Sequence, residues 1–288
     1  MCGKPSNLLC EDRLSTIFPR QRLASRILAR LQVYEKAGNA AALNDEQVWT
    51  MLFSYGYVCC DGGHLGLLAS VLTERDCGEG AGPPPGSRAW LEMLPMAARL
   101  GKAGESESNS EIDLMLGDIS LRQGCRSGVA YEPSGDGRGW VCFVEAKWLS
   151  DIAARTKHDP HRNQLARVIE AAAVFQGQRQ LPKKVQVTLL TPACFKNDAG
   201  LSGTRLYAYK FHEYQQDREH LIKDVNSAKI PPRRTATWAY PDGTDQRLRN
   251  LSLHWVTYES VLAAMPDSEY KVVLCQFVKD RARLLRAR

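Results

Sequence analysis

The sequence predicts an α/β protein in which a mixed β-sheet is flanked by helices. Two observations lead to this prediction. The first is the order of patterns along the chain, which runs helix, strand, strand, helix, strand, with helical additions on both sides. The second is the apolar segment WVCFVEAKWLSD (140–151), which is typical of a buried strand but ends in charged residues. At 288 residues the chain is long enough to bury a sizeable core.

Most of the first hundred residues are predicted to be helical. Segment 11–38 is broken or kinked by a proline, has apolar residues at helical spacing after it, and ends in glycine. Segment 45–57 predicts a second helix, capped near Asn44 or Asp45 because either side chain can accept from free backbone N–H groups. Segment 87–101, SRAWLEMLPMAARLG, predicts a third helix with a kink at its proline.

Two strands are predicted to form an antiparallel hairpin, with the turn-rich segment 123–139 as its wide loop. Successive side chains of a strand point to opposite faces. In segment 111–122 one face then carries Ile112, Leu114 and Leu116, and the other carries Glu111, Asp113 and Met115. In segment 140–148 one row contains Val141, Phe143, Glu145 and Lys147, and the other contains Cys142, Val144, Ala146 and Trp148.

The rest of the chain alternates helix and strand patterns. A helix is predicted with Asp159 as its N-cap, Pro160 in its first position and Gly177 as its stop. A strand follows at 183–192, then a strand and helix at 251–265 and a closing helix at 267–285. We expect residues 1–288 to form a single domain, with a core at about 11–190 and an extension, 191–288, packed on it.

Composition excludes several classes of protein. Hydrophobic residues make up 44% and charged residues 24% of the chain, which are ordinary globular values. No segment has the roughly 18 consecutive apolar residues of a spanning helix, and the N-terminus lacks the apolar region of a secretory signal. Nine scattered cysteines without C-x-x-C spacing favour reduced thiols in a cytoplasmic protein with no membrane partner. The net charge of +6 permits a polyanionic partner without requiring one.

The charged end of segment 140–151 is a candidate site for phosphodiester hydrolysis. A carboxylate and an ammonium at the end of a core strand are costly to desolvate unless they are paired or coordinated. Such hydrolysis needs hard oxygen ligands for a divalent cation, an activated water and nearby positive charge. Asp113 and Glu145 can provide the oxygens, and the Ala146 carbonyl a third ligand. Lys147 can hold or deprotonate the attacking water.

These residues resemble the motif of the PD-(D/E)XK nuclease superfamily, which has the restriction-endonuclease-like fold. EID (111–113) stands where the family has its P-D, with Ile112 in place of the proline, and EAK (145–147) stands for (D/E)-x-K. The resemblance covers roughly residues 11–190. It implies an αβββαβ core, in which the acidic residue lies on the second core strand and E-x-K on the third.

The resemblance also implies a function and further site residues. It implies a metal-dependent endonuclease of the restriction or defence type that acts on DNA and uses Mg²⁺, with Mn²⁺ able to substitute. Asp113, Glu145 and Lys147 are then catalytic, and Lys147→Ala abolishes cleavage while folding stays nearly intact. The NQLAR segment offers Gln164 as a further catalytic residue and Arg167 as a contact to the scissile backbone. Glu11 is the candidate metal ligand from the first helix.

Other interpretations of the same residues stay open. Glu145 and Lys147 also suit a solvated strand end with a surface ion pair, and Asp118 or Glu111 could replace Asp113 as a ligand. Basic and aromatic residues alternate in segment 228–249, which suits a nucleic-acid contact or an ordinary surface loop; they are Arg233, Arg234, Trp238 and Tyr240.

Two alternatives to a DNA endonuclease are a non-catalytic nucleic-acid-binding or assembly subunit with the same fold, and a nuclease acting on RNA or branched DNA. Cutting both strands of a duplex with one site per chain favours a homodimer or two encounters.

Overall fold

The computed structural model describes residues 4–37, 45–60, 63–74, 86–96, 99, 111–125, 128–133, 138–154, 161–178, 180–197, 205–227 and 243–286. In this part of the chain one mixed sheet of seven strands runs in the order β3-β4-β1-β2-β5-β6-β7. Its strands are β1 (Arg88–Pro95), β2 (Ile112–Gly117), β3 (Ile119–Leu121), β4 (Gly128–Tyr131), β5 (Trp140–Ala146), β6 (Lys184–Thr191) and β7 (Ser252–Thr257). The predicted α/β class with a mixed sheet is therefore confirmed.

Helices cover both faces of the sheet. A short 3₁₀ helix, Pro5–Leu8, precedes α1 (Glu11–Ile17), α2 (Gln21–Ala37), α3 (Glu46–Val58) and α4 (Leu65–Leu72). The helices after β5 are α5 (Gln164–Ala173), α6 (Ala193–Asn197), α7 (Leu206–Gln216), α8 (Arg218–Val225), α9 (Thr244–Asn250), α10 (Tyr258–Ala264) and α11 (Glu269–Arg286). The predicted break between α1 and α2 and the predicted cap of α3 at Asp45 are confirmed, the latter by a hydrogen bond from the Val48 N–H to the Asp45 side chain.

Two apolar clusters, one on each face of the sheet, form the core. The first cluster joins β5 to α1–α4, α10 and α11, and the second joins it to α5, α7, α8 and α9. All seven residues of β5 are buried, and their side chains alternate between the two clusters as predicted. The strand that carries Glu145 is therefore central and covered on both faces, which excludes the interpretation of a solvated strand end.

The prediction of a helix over 87–101 is wrong, because residues 88–95 form β1. β1 pairs antiparallel with β2 and parallel with β4, and it contributes Ala89 and Leu91 to the first cluster and Trp90 and Met93 to the second. A strand covered on both faces is a nearly continuous apolar run. Periodicity alone does not distinguish such a run from a buried helix.

Segment 111–122 forms two strands rather than one. β2 ends at Gly117, whose φ of 117° lies in a region that side-chain-bearing residues rarely adopt, and a Cβ there would meet the Trp140 carbonyl oxygen at 2.2 Å. β4 lies within the stretch predicted as a loop and pairs with β3. The predicted antiparallel pairing of the two main strands is confirmed, since Leu114 of β2 lies opposite Val144 of β5.

The predicted limits of the helix after β5 are wrong at both ends. α5 begins at Gln164, and its N-cap is Asn163, which accepts a hydrogen bond from the Ala166 N–H at 2.9 Å. The predicted cap and first position, Asp159 and Pro160, lie outside the described residues. The helix also ends before the predicted stop at Gly177. Asparagine caps a helix as well as aspartate does, so composition did not single out the correct residue.

The C-terminal segment contributes to the central sheet. β7 pairs parallel with β6 along its whole length, and α10 and α11 pack in the first cluster. The strand at 183–192, the strand and helix at 251–265 and the closing helix are confirmed. The described part of residues 191–288 thus extends the sheet through β7 as well as packing on it. No helix in the described ranges is long and apolar enough to cross a membrane.

Candidate active site

Three carboxylate residues lie at one level across neighbouring strands of the sheet. The β1–β2 register places Glu92 level with Asp113. In the β2–β5 register Leu114 lies opposite Val144, so the next residues, Asp113 and Glu145, are also level. Opposite residues on adjacent antiparallel strands have Cβ atoms about 5 Å apart. The fold therefore collects three acidic side chains where β1, β2 and β5 adjoin.

Glu145 and Lys147 form a buried ion pair at the end of β5. Glu145 is 1% exposed and Lys147 is 4% exposed, and the Lys147 Nζ lies 2.8 Å from the Glu145 Oε1. The same Nζ lies 3.3 Å from the Oε2 of Glu46, the first residue of α3. Glu46 also accepts a hydrogen bond from the Ser150 hydroxyl. The ammonium group is thus held between two carboxylates from different elements.

Gln164 and Arg167, both predicted from the segment after E-x-K, lie close to Glu145. The Gln164 Nε2 donates to the Glu145 Oε1 at 2.6 Å, and the Gln164 Oε1 accepts from the Ala153 N–H at 3.3 Å. Arg167 is 7% exposed, and its charge lowers the pKa of Glu145. The first turn of α5 therefore orients the Glu145 carboxylate. Arg167 is buried rather than displayed on the surface.

Asp113 is tied to the end of β5 through Ala146. The Asp113 Oδ2 accepts a hydrogen bond of 2.7 Å from the Ala146 backbone N–H. Asp113 as a residue is half-buried, whereas Ala146 is fully buried. Two predicted metal ligands, Asp113 and Glu145, thus lie on adjacent strands whose ends are joined directly by a hydrogen bond, and Ala146 lies between Glu145 and Lys147.

Glu92 is a member of the site that the sequence did not reveal. It is 2% exposed, and its Oε2 accepts a hydrogen bond of 2.6 Å from the Gln47 Nε2. Its φ of 57° is in the left-handed region, which is rare for a residue other than glycine, asparagine or aspartate. The signal was hidden because the segment that contains Glu92 was predicted to be a helix.

Burial is the largest influence on the pKa values of these groups, and the neighbouring charges modify its effect. Burial raises the pKa of Glu145, and the charge of Lys147 opposes this rise. Burial and then the charge of Glu145 raise the pKa of Asp113 well above its usual value. Burial alone would lower the pKa of Lys147, but the charges of Glu145, Asp113 and Glu46 outweigh it and raise the pKa. A bound cation would favour the ionised forms of Asp113 and Glu145 and relieve the repulsion between them.

We predict that Glu92→Gln changes the pH dependence of stability. Burial, and to a smaller extent the charge of Glu111, raises the pKa of Glu92 from 4.5 to about 8. Between those two pH values the folded protein keeps a proton that the unfolded chain releases, so Glu92 lowers the free energy of unfolding progressively as pH rises. In urea unfolding, the stability of the variant relative to wild type should therefore increase from pH 5 to pH 8.5. A difference that is constant or shrinks over this range would contradict the assignment.

Other predicted site residues lie elsewhere. Glu11 is exposed at the start of α1 and lines a cavity of about 300 Å³ between α1 and α2. No described contact joins it to Asp113 or Glu145. Glu111 forms a surface ion pair with Arg20 at 2.7 Å, and Asp118 accepts a hydrogen bond from the Trp140 N–H. Of the N-terminal helices, α3 with Glu46 reaches Lys147. Arg233, Arg234, Trp238 and Tyr240 lie outside the described residues.

The residues present fit a divalent cation in their chemistry. Among the described residues, no group of three or more His, Cys, Asp and Glu side chains is arranged to hold a metal ion. Two buried carboxylate oxygens at the site, Glu145 Oε2 and Glu92 Oε1, nevertheless have no hydrogen-bond partner there. An unsatisfied buried acceptor costs about 1–3 kcal/mol. Hard carboxylate oxygens are the ligands that Mg²⁺ and Mn²⁺ prefer.

Comparisons with protein-family models, curated proteins and solved structures return no match for this chain. Its function is therefore inferred from the residues and geometry of the site itself.

Proposed function

We propose that this chain is a metal-dependent endonuclease of the PD-(D/E)XK type that hydrolyses DNA phosphodiester bonds. The observation that carries the proposal is the buried Glu145–Lys147 pair at the end of a central strand, beside Asp113 on the adjacent antiparallel strand. A buried ion pair is weak evidence for stability, because apolar residues of similar volume often serve equally well. Its position beside a second carboxylate favours a catalytic role.

The order of elements supports the restriction-endonuclease-like core. α3 and α4 precede β1, and β1, β2 and β5 lie side by side in the sheet. α5 follows β5, and β6 then pairs parallel with β5. If β3 and β4 are treated as an inserted hairpin, the order of elements is αβββαβ. Asp113 lies on β2, the second of the three strands, and Glu145 lies on β5, the third. This is the placement that the resemblance implies.

In the proposed mechanism Asp113 and Glu145 would hold Mg²⁺, which would polarise the phosphate and lower the pKa of water. Lys147 donates to the attacking water and offsets the negative charge that develops on the phosphate. With its ammonium between two carboxylates, Lys147 stays protonated, so it holds the water rather than deprotonating it. Gln164 keeps the Glu145 carboxylate in place through its 2.6 Å hydrogen bond. Glu46 positions Lys147 from the opposite side.

The proposed partner is DNA. The net charge of +6 permits association with a polyanion, and phosphate contacts from basic residues such as Arg233 and Arg234 stay predictions. Arg167 is buried beside the site, so we assign it to the electrostatics of Glu145 before any contact with the backbone of the nucleic acid. A homodimer would cut both strands of a duplex in one encounter. A cytoplasmic location also stays a prediction.

The test is cleavage of a substrate panel by the purified protein in Mg²⁺, Mn²⁺ or EDTA. The panel contains supercoiled plasmid, single-stranded DNA, a four-way junction and single-stranded RNA. We expect the protein to nick and linearise supercoiled plasmid in Mg²⁺ or Mn²⁺, and we expect EDTA to abolish this cleavage. Retention of DNA without cleavage in either metal would favour a non-catalytic binding subunit. Cleavage of RNA or the junction alone would change the substrate class, and no cleavage or binding of any member would overturn the proposal.

A further inference from the structure

Two buried oxygens of the site remain without a described hydrogen-bond partner. They are Oε1 of Glu92 and Oε2 of Glu145, and they belong to residues that are 2% and 1% exposed. The other oxygen of each carboxylate is held, Glu92 Oε2 by Gln47 and Glu145 Oε1 by Lys147 and Gln164. Each glutamate therefore has one oxygen fixed in place and one oxygen available to a ligand.

The backbone around Glu92 is built in an unusual way at this level of the sheet. Leu91 packs in the first apolar cluster and Met93 in the second, so the alternation of faces slips by one residue at Glu92. Glu92 has a φ of 57° at this point, a left-handed conformation that is strained in a residue with a side chain. The slip occurs where Glu92 is level with Asp113.

We propose that Glu92 is a further ligand of the divalent cation, binding through Oε1 and sharing the ion with Glu145 Oε2 and Asp113. This inference rests on the proposed function, because it assumes that the site binds a metal ion. Three carboxylates offer an all-oxygen ligand set to Mg²⁺ or Mn²⁺. They do not form a ready three-ligand group in the described structure, so binding requires rotation of the carboxylates toward the ion. Gln47 holds Oε2 of Glu92 and so leaves Oε1 as the oxygen that can bind the ion.

The experiment is titration of the metal-free protein with Mn²⁺ alone, with free Mn²⁺ measured by electron paramagnetic resonance. The variants are Glu92→Gln and, as a matched control, Glu111→Gln. Glu111 is a nearby acidic residue in a surface ion pair with Arg20, so Glu111→Gln removes an acidic group from the same region without removing a buried oxygen. We expect Glu92→Gln to weaken Mn²⁺ binding at least tenfold and Glu111→Gln to change it less than threefold. Cleavage activity is not needed for this measurement.

The thermal unfolding midpoint separates ligation from a structural role. Without metal, Glu92→Gln should unfold at the same temperature as wild type or higher, because glutamine is neutral and needs no bound proton to be buried. In saturating Mn²⁺ the variant should lose most of the upward shift that wild type shows. If Glu92→Gln does not fold, Gln47→Leu is the second variant, and it should weaken Mn²⁺ binding at least threefold.

The outcomes also distinguish this inference from the proposed function. Tight Mn²⁺ binding by wild type and equal binding by Glu92→Gln would overturn the role of Glu92 and leave the nuclease proposal standing. If Glu92→Gln and Glu111→Gln weaken Mn²⁺ binding equally, the effect comes from the net negative charge of the region. That result would also overturn the assignment of Glu92 as a ligand. If wild type itself binds no Mn²⁺, both the inference and the metal-dependent function fail.

Discussion

Replacing Lys147 by methionine is expected to reduce DNA cleavage by about 10²–10³-fold or more. The Lys147 ammonium forms an ion pair with the Glu145 carboxylate, with 2.8 Å between Nζ and Oε1. Methionine has a similar length and no charge, so it removes the donor to water with little change in packing. Cleavage rates of plasmid in Mg²⁺, measured for both proteins at equal folded concentration, provide the test. Wild-type rates in the variant would exclude Lys147 from the chemistry.

The buried position of Lys147 leads us to expect that its loss also destabilises the fold, contrary to the expectation from the sequence that folding stays nearly intact. Lys147 is buried between Glu145 and Glu46, and removal of one partner of a buried ion pair costs about 3–5 kcal/mol. A drop in activity alone is therefore ambiguous. The matched control is the double variant Lys147→Met with Glu145→Gln, which removes both charges and should recover most of the lost stability in urea unfolding. It should stay inactive, and recovery of cleavage with stability would contradict the catalytic role.

Asp113→Asn is expected to have opposite effects on activity and stability. Cleavage should fall at least about 10³-fold because a metal-binding carboxylate is lost. The free energy of unfolding of the metal-free protein at pH 7.5 should stay the same or rise by about 1 kcal/mol. The raised pKa of Asp113 means that its ionised form is unfavourable in the folded state, and this penalty grows as pH rises above the unfolded value. Asparagine carries no such charge, and its side-chain oxygen can still accept from the Ala146 N–H.

The two measurements on Asp113→Asn are urea unfolding in EDTA and plasmid cleavage in Mg²⁺. A less active but clearly destabilised variant would indicate that Asp113 acts mainly as a structural acceptor for Ala146. An active and stable variant would remove Asp113 from the site. Ser87→Ala is a suitable control, because Ser87 contacts Asp118 rather than Asp113 and should change neither quantity appreciably.

The parts of the site that the sequence predicted are those that depend on local geometry. Glu145 and Lys147 are two residues apart at the end of one strand, so alternation alone placed them together. Gln164 was implied by the family resemblance, which places a glutamine in the helix after E-x-K, although the predicted start of that helix was wrong. Asp113 required only one antiparallel hairpin, and its hydrogen bond with Ala146 joins the two strands as expected.

The parts that the sequence missed depend on contacts between distant elements. Glu92 was hidden because β1 is buried on both faces and its apolar run resembles a helix. Glu46 was read only as the beginning of a helix, since nothing in its neighbourhood reveals that α3 begins beside Lys147. Glu11 was assigned instead because it lies at the start of the first helix of the chain, whereas the helix that reaches the site is the third.

The most direct test of the central claim is a side-by-side plasmid assay of wild type and Asp113→Asn, each with Mg²⁺ and each with EDTA. We predict that only wild type with Mg²⁺ nicks and linearises supercoiled DNA, while both proteins show the same cooperative unfolding. Cleavage by Asp113→Asn at the wild-type rate, or wild-type cleavage that persists in EDTA, would contradict a metal-dependent nuclease site built on Asp113, Glu145 and Lys147.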